Sequence, residues 1–158
     1  MMKNINRSNF PDFFSWKDAN NNFTMWTYVS AKMSIGAAIG MSAFLCPTLI
    51  NVDGAYLIEE SNKMDRLAEW RLTTGSDVQR LEKAINSWEV KDFFNFNPEK
   101  NINAESIELL GKQIQYLWSL TLLDRYPHVQ TVVELIGDNT NLDPLVVVVY
   151  VRRHDAIS

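Results

Sequence analysis

Asp53, Glu59, Glu60 and Glu69 form the densest acidic group in the sequence. Two carboxylates can share acid and base roles when desolvation separates their proton affinities. Asp53 stands beside Gly54 inside an apolar segment, so a cleft could hold it. The competing reading is a set of solvated charges at a strand end and in a loop, the ordinary fate of carboxylates. His128 and His154 are the only imidazoles. Either could serve as a general base, but no serine or cysteine elbow accompanies them, and surface positions are expected for both. Cys46, the single thiol, lies in an apolar run before Pro47, where a buried thiol would act as a small hydrophobe rather than a nucleophile. Gly36 and Gly40 lack the Lys-Ser/Thr sequel of a phosphate loop. No catalytic residue, metal ligand set or cofactor site is assigned.

Tryptophan is the other chemistry-bearing type. Trp16, Trp70, Trp88 and Trp118 exceed what a small core needs, and aromatic side chains rimmed by acids are the makings of an interface hot spot. Trp88 and Trp118 lie near apolar helical stripes, which favours core packing for them. Trp70 beside Glu69 is read as the exposed anchor, so the candidate partner-binding set is Trp70, Glu69, Asp53, Glu59 and Glu60.

Charge narrows the partner. Fifteen Lys+Arg against 19 Asp+Glu leave a formal net charge of −4, the wrong sign for phosphate neutralisation. Nucleic acid is therefore not expected, whereas a basic protein would gain from electrostatic steering. One cysteine excludes an intramolecular disulfide and, with two histidines, leaves too few ligands for structural zinc. No secretory signal opens the chain, and a cytoplasmic location is expected. Residues 33–50 carry no charge and include Gly36-x-x-x-Gly40, a spacing that membrane helices use to approach closely. They are rich in Ser, Gly and Ala and run into Cys46-Pro47, so a buried central helix is the preferred reading. Overpacking at Gly40 would then destabilise the fold.

These residues are positioned by a chain of 158 residues, 46% of them apolar, which suffices for one domain with a continuous core. Residues 1–23, with six asparagines beside Phe10, Phe13, Phe14 and Trp16, read as a docked N-terminal arm. Trp26 to Leu45 reads as one helix. Thr48 to Ile58 reads as one strand with Ile50, Val52, Tyr56 and Ile58 on one face. Asn62 caps a helix carrying Met64, Leu67, Ala68 and Arg71, and Gly75 ends it. Ser76-Asp77-Val78-Gln79 opens another through Val78, Leu81, Ile85 and Trp88. A loop spans Phe94 to Pro98, and Asn103 caps a long helix with Ile107, Leu110, Ile114, Leu117 and Thr121 on one stripe. Val129 to Ile136 and Leu145 to Val151 pair as a hairpin across Gly137 to Asn141. The unbroken apolar run at 145–151 implies a strand covered on both faces or placed in an interface between copies. The fold class is α+β: a short antiparallel sheet of about three strands with four helices around it.

Phe44-Leu45-Cys46-Pro47, Val52-Asp53-Gly54, Glu59-Glu60, Glu69-Trp70, Thr74-Gly75, Asp77, Glu82, Asn86 and Asp92-x-Phe94 form a succession that resembles a group of small bacterial α+β proteins of unknown function. The likeness covers the middle third of the chain. It implies a soluble domain and brings no catalytic role with it. The reading that follows is a non-enzymatic protein-binding domain, in its specific form a bacterial immunity or inhibitor protein that masks a toxin. The alternatives are a small enzyme using Asp53, Glu59 and Glu60, and a membrane-associated subunit using residues 33–50.

Overall fold

The computed structural model describes residues 6–59, 61, 63–94, 103–140 and 142–153. The class is α+β, with six α-helices and two small antiparallel sheets among these residues. The helices are α1 (Pro11–Ala19), α2 (Met25–Lys32), α3 (Ile35–Leu45), α4 (Leu67–Thr74), α5 (Val78–Ile85) and α6 (Ala104–Arg125). Strands β1 (Leu49–Val52) and β2 (Ala55–Ile58) form one sheet. In the other, β3 (Ser87–Glu89), β5 (Val146–Val151) and β4 (Thr131–Ile136) run in the spatial order β3-β5-β4.

Thr48 to Ile58 is two strands rather than one. Asp53 and Gly54 adopt φ of 49° and 85°, the mirror-image backbone that two-residue Asp-Gly hairpin turns use. The turn is fastened by the Gly54 N–H donating to the Asn51 side chain at 3.0 Å. Trp88 is likewise not helical: α5 stops at Ile85 and Trp88 enters β3. α5 is capped by Asp77, whose carboxylate accepts from the Arg80 N–H at 2.9 Å. The long helix is capped by Asn103, as its sequence predicts.

β5 is central, which explains its unbroken Val-rich sequence: α6 and α5 cover it while β3 and β4 pair with it. Of the two readings of 145–151, cover by the chain's own elements is the one seen here, with β3 and β4 pairing along β5 and the two helices packed on it. Beyond β3, the Val149 N–H donates to the Asn86 carbonyl at 2.9 Å and the Val151 N–H to the Glu82 carboxylate at 2.9 Å.

Glu82 and Asn86, four residues apart on α5, lie on one side of the helix and join the two sheets. Both are fully buried. One Glu82 oxygen accepts from the Tyr56 N–H (2.7 Å) and Arg153 Nη2 (2.7 Å); the other accepts from the Val151 N–H (2.9 Å) and Arg153 Nη1 (2.8 Å). The Asn86 amide accepts from the Ile58 N–H (2.9 Å) and donates to the Tyr56 carbonyl (2.8 Å) and the Val149 carbonyl (3.2 Å). Side chains thus supply the bonds a shared strand would otherwise make, and the buried charge is fully satisfied.

The main core lies between α6 and the three-stranded sheet, built on Ile114, Trp118, Leu122, Val147 and Val149. A second cluster of Ala55, Leu57, Leu81 and Ile85 lies under α4 and α5. Gly111 lets α6 approach the sheet, since a Cβ there would come 3.0 Å from Leu145 and 3.1 Å from Leu135.

The expected central helix is not in the core. Residues 26–45 form two helices bent by 110° at Met33-Ser34. The Ser34 hydroxyl accepts from the Ala37 N–H and starts α3 afresh. Neither α2 nor α3 contains a buried residue. The uncharged composition of this stretch points to a core helix, but only Phe44 near its end is packed against the main cluster. A Cβ added at Gly40 would consequently meet nothing within 4 Å. Gly40→Leu is expected to leave the melting midpoint unchanged or to stabilise the fold through helix propensity by up to about 1 kcal/mol. A loss of about 1 kcal/mol or more in a denaturant titration would place Gly40 in a packed contact.

Candidate interaction surface and adjoining cleft

The partner set expected from the sequence does not come together as an aromatic anchor ringed by free acids. Trp70 is half-buried and packs on the second core cluster. It stands three residues after Leu67, so both project from the same side of α4; the expected exposed position is corrected accordingly. Its indole N–H is buried without a hydrogen-bond partner among the described residues. Glu69 is exposed and held by Arg66 at 2.7 Å, and the Arg66 guanidinium draws its carboxyl below the usual range. Asp53 sits on the hairpin turn and pairs with Arg71 at 3.0 Å. Glu59 is exposed at the far end of β2, and Glu60 lies outside the described residues. The four residues of β2 separate Asp53 from Glu59 by roughly 13 Å at the strand rise of about 3.3 Å per residue. Asp53 and Glu59 thus stand at opposite ends of β2.

His128 is exposed in the turn after α6, and His154 lies outside the described residues. Cys46 is exposed, correcting the expectation of a buried thiol. Among the described residues, no group of three His, Cys, Asp or Glu side chains could hold a metal ion.

The structure instead presents an exposed apolar surface on a stretch that composition assigns to the core. On α2, Trp26 is 82% exposed and Val29 follows one turn later; on α3, Ile35 is 81% and Ile39 65% exposed, again one turn apart. From Ala19 to Val52 the only charged residue is Lys32, and its ammonium binds Asp12 at 2.8 Å. No single helix among the described residues is long and apolar enough to cross a membrane. Helices of eight and 11 residues extend only about 12 and 17 Å at about 1.5 Å per residue.

Matching against known proteins yields no family model, no curated protein and no solved structure. Function therefore rests on the chain's own geometry.

Two anchors set the helix pair in place. At one end, Phe13, Phe23, Tyr28 and Trp16 interlock, with Trp16 and Tyr28 ring centroids 5.9 Å apart. The preceding residues bind the start of α6: Asn6 donates to Glu105 at 3.0 Å and Asn103 donates to the Ser8 carbonyl at 2.7 Å. Polar residues 6–9 thus hold the start of the described chain on α6, while the aromatics of α1 and Phe23 support α2. At the other end, α6 grips the last turn of α3. Trp118 Nε1 donates to the Phe44 carbonyl at 2.9 Å and Arg125 Nη1 to the Cys46 carbonyl at 2.7 Å.

Below that last turn lies a cleft of about 730 Å³. Phe44, Trp88, Phe93 and Trp118 supply aromatic walls, and Lys63, Ser87, Glu89 and Asp92 supply polar groups. Burial pushes the Lys63 ammonium below the ordinary lysine range. Elsewhere, the Glu134 carboxylate accepts from the Tyr150 hydroxyl at 2.5 Å and raises the phenol above its usual value. The sequence signal for this cleft is Trp88 and Trp118, which helical spacing by itself assigns to packing alone.

Proposed function

We propose that this chain is a binding protein on which another protein docks through the exposed apolar faces of α2 and α3. The observation that carries the reading is Trp26, Ile35 and Ile39 standing exposed on helices firmly anchored at both ends. Large apolar side chains concentrated in this way mark contact surfaces, and Trp is the residue most enriched among binding hot spots. The open space over Gly36 and Gly40 admits close approach by a partner backbone.

Charge favours a protein over a lipid surface. Lys32 is already paired, and a molecule of net charge −4 is repelled by an anionic leaflet. The specific form is a bacterial immunity or inhibitor protein of the cytoplasm, to which a basic toxin would be steered by that same acidity.

The experiment is site-specific photocrosslinking in cells of the source organism. A benzoylphenylalanine at position 39 is expected to give a discrete adduct with a different protein. The same group at Leu142, exposed but remote in sequence from both helices, is expected to give none. Trp26→Ala should weaken the complex by about 2 kcal/mol while leaving the melting midpoint unchanged. Lipid adducts, a self-adduct alone, or identical products at positions 39 and 142 would each refute docking of a second protein here. For the immunity form, the captured protein must be toxic to cells that lack this chain.

A further inference from the structure

The aromatic cleft has a chemistry of its own, independent of the α2–α3 surface. Its four rings come from α3, β3, the 3-10 helix Val90–Phe94 and α6, so the tertiary fold builds it rather than any one segment. Their centroids lie 4.8 to 6.4 Å apart, and the Phe44–Phe93, Phe44–Trp118 and Trp88–Trp118 pairs meet edge to face. A volume of about 730 Å³ falls within the usual span of small-molecule sites, about 300–1,000 Å³.

The polar groups decide what kind of molecule fits. The Lys63 ammonium donates to the Ala84 carbonyl (3.0 Å), the Ser87 carbonyl (2.5 Å) and the Ser87 hydroxyl (2.9 Å). An ammonium has three donors, and all three are committed, so an incoming anion would find no hydrogen bond there. Carboxylates differ. Glu89 accepts from Lys91 at 2.9 Å, yet a carboxylate offers about four acceptor sites, so an engaged Glu89 or Asp92 retains the capacity to accept from a further donor. Aromatic faces attract cations; the Lys63 ammonium already stands 5.8 Å from the Trp88 ring centroid, so the site left for an incoming ammonium is the carboxylate side of the cleft, with the rings taking its apolar body.

We propose that this cleft binds a small organic cation: an ammonium group on an apolar or aromatic body. The body lies against Trp88, Trp118 and the two phenylalanines, and the ammonium is held by Glu89 and Asp92.

Three probes sharing a phenyl ring test this: 2-phenylethylammonium, the uncharged 2-phenylethanol and the anionic 3-phenylpropanoate. Binding is followed by the fluorescence of the wall tryptophans and confirmed by calorimetry. Saturable binding of the ammonium is expected, at least tenfold tighter than the alcohol, with none by the carboxylate. Glu89→Gln combined with Asp92→Asn should weaken it at least tenfold. Raising the salt concentration should weaken the unaltered protein in the same direction, a check that does not depend on the variant folding. Equal binding of the alcohol, preferential binding of the anion, no saturable binding, or affinity indifferent to both salt and the double substitution would overturn the proposal. None of these outcomes bears on protein docking at α2 and α3, whose test reads position 39.

Discussion

Replacing Glu82 by alanine is expected to lower the unfolding free energy by about 3–5 kcal/mol, the usual cost of removing one partner from a buried ion pair. The melting midpoint should fall by about 10 °C at the scaling appropriate to this chain length. The change removes the ion-pair partner of Arg153, which keeps only the Gly54 and Val151 carbonyls, and leaves the Tyr56 and Val151 N–H groups without their acceptor. Glu82→Gln should rescue little. Both carboxylate oxygens accept from backbone N–H donors, so either orientation of a glutamine amide turns its NH₂ toward one of them. Thermal and urea melts of both variants provide the measurement. A midpoint within about 2 °C of the parent for Glu82→Ala would show that the two sheets are held together without this bridge.

Trp118→Ala is expected to be comparably damaging, by about 3–5 kcal/mol, as for large aromatic deletions in cores. The indole is buried, touches Phe44, Trp88 and Phe93, and holds the end of α3 through its Nε1. Trp118→Phe separates the two contributions. It keeps ring packing and loses one hydrogen bond, for which about 1 kcal/mol is the ordinary net value. Amide exchange should localise the remaining effect: α3 should lose protection in the phenylalanine variant while β5 keeps it. Equal losses in both would mean that the hydrogen bond serves the whole core rather than anchoring α3. Because Trp118 is also a wall of the cleft, the phenylalanine variant is the one suited to ligand titration.

Local signals serve well where each element depends on its own residues. Asn103 begins α6 and Gly75 ends α4, because caps and left-handed turns are settled within a few residues. The β4–β5 pairing is legible from two β-branched runs around turn residues. The hairpin at Asp53-Gly54 is equally local, yet period-two alternation runs straight through its two-residue turn and disguises two strands as one.

By itself, then, the sequence determined an α+β chain with its long capped helix, its valine-rich strand and its acidic charge. It also determined that one long stretch carries no charge but Lys32. Only the tertiary structure decided where that stretch goes. Hydrophobicity reports a tendency to leave water, not a destination, and with the core filled by α6 and the sheets, α2 and α3 remain on the surface. The same holds for Trp70 and Trp26: side chains of one type are assigned to core or surface by what lies opposite them, which no local pattern encodes. Glu82 was the least legible residue, for a carboxylate on a short helix looks solvated until a strand edge and Arg153, some 70 residues later, close around it.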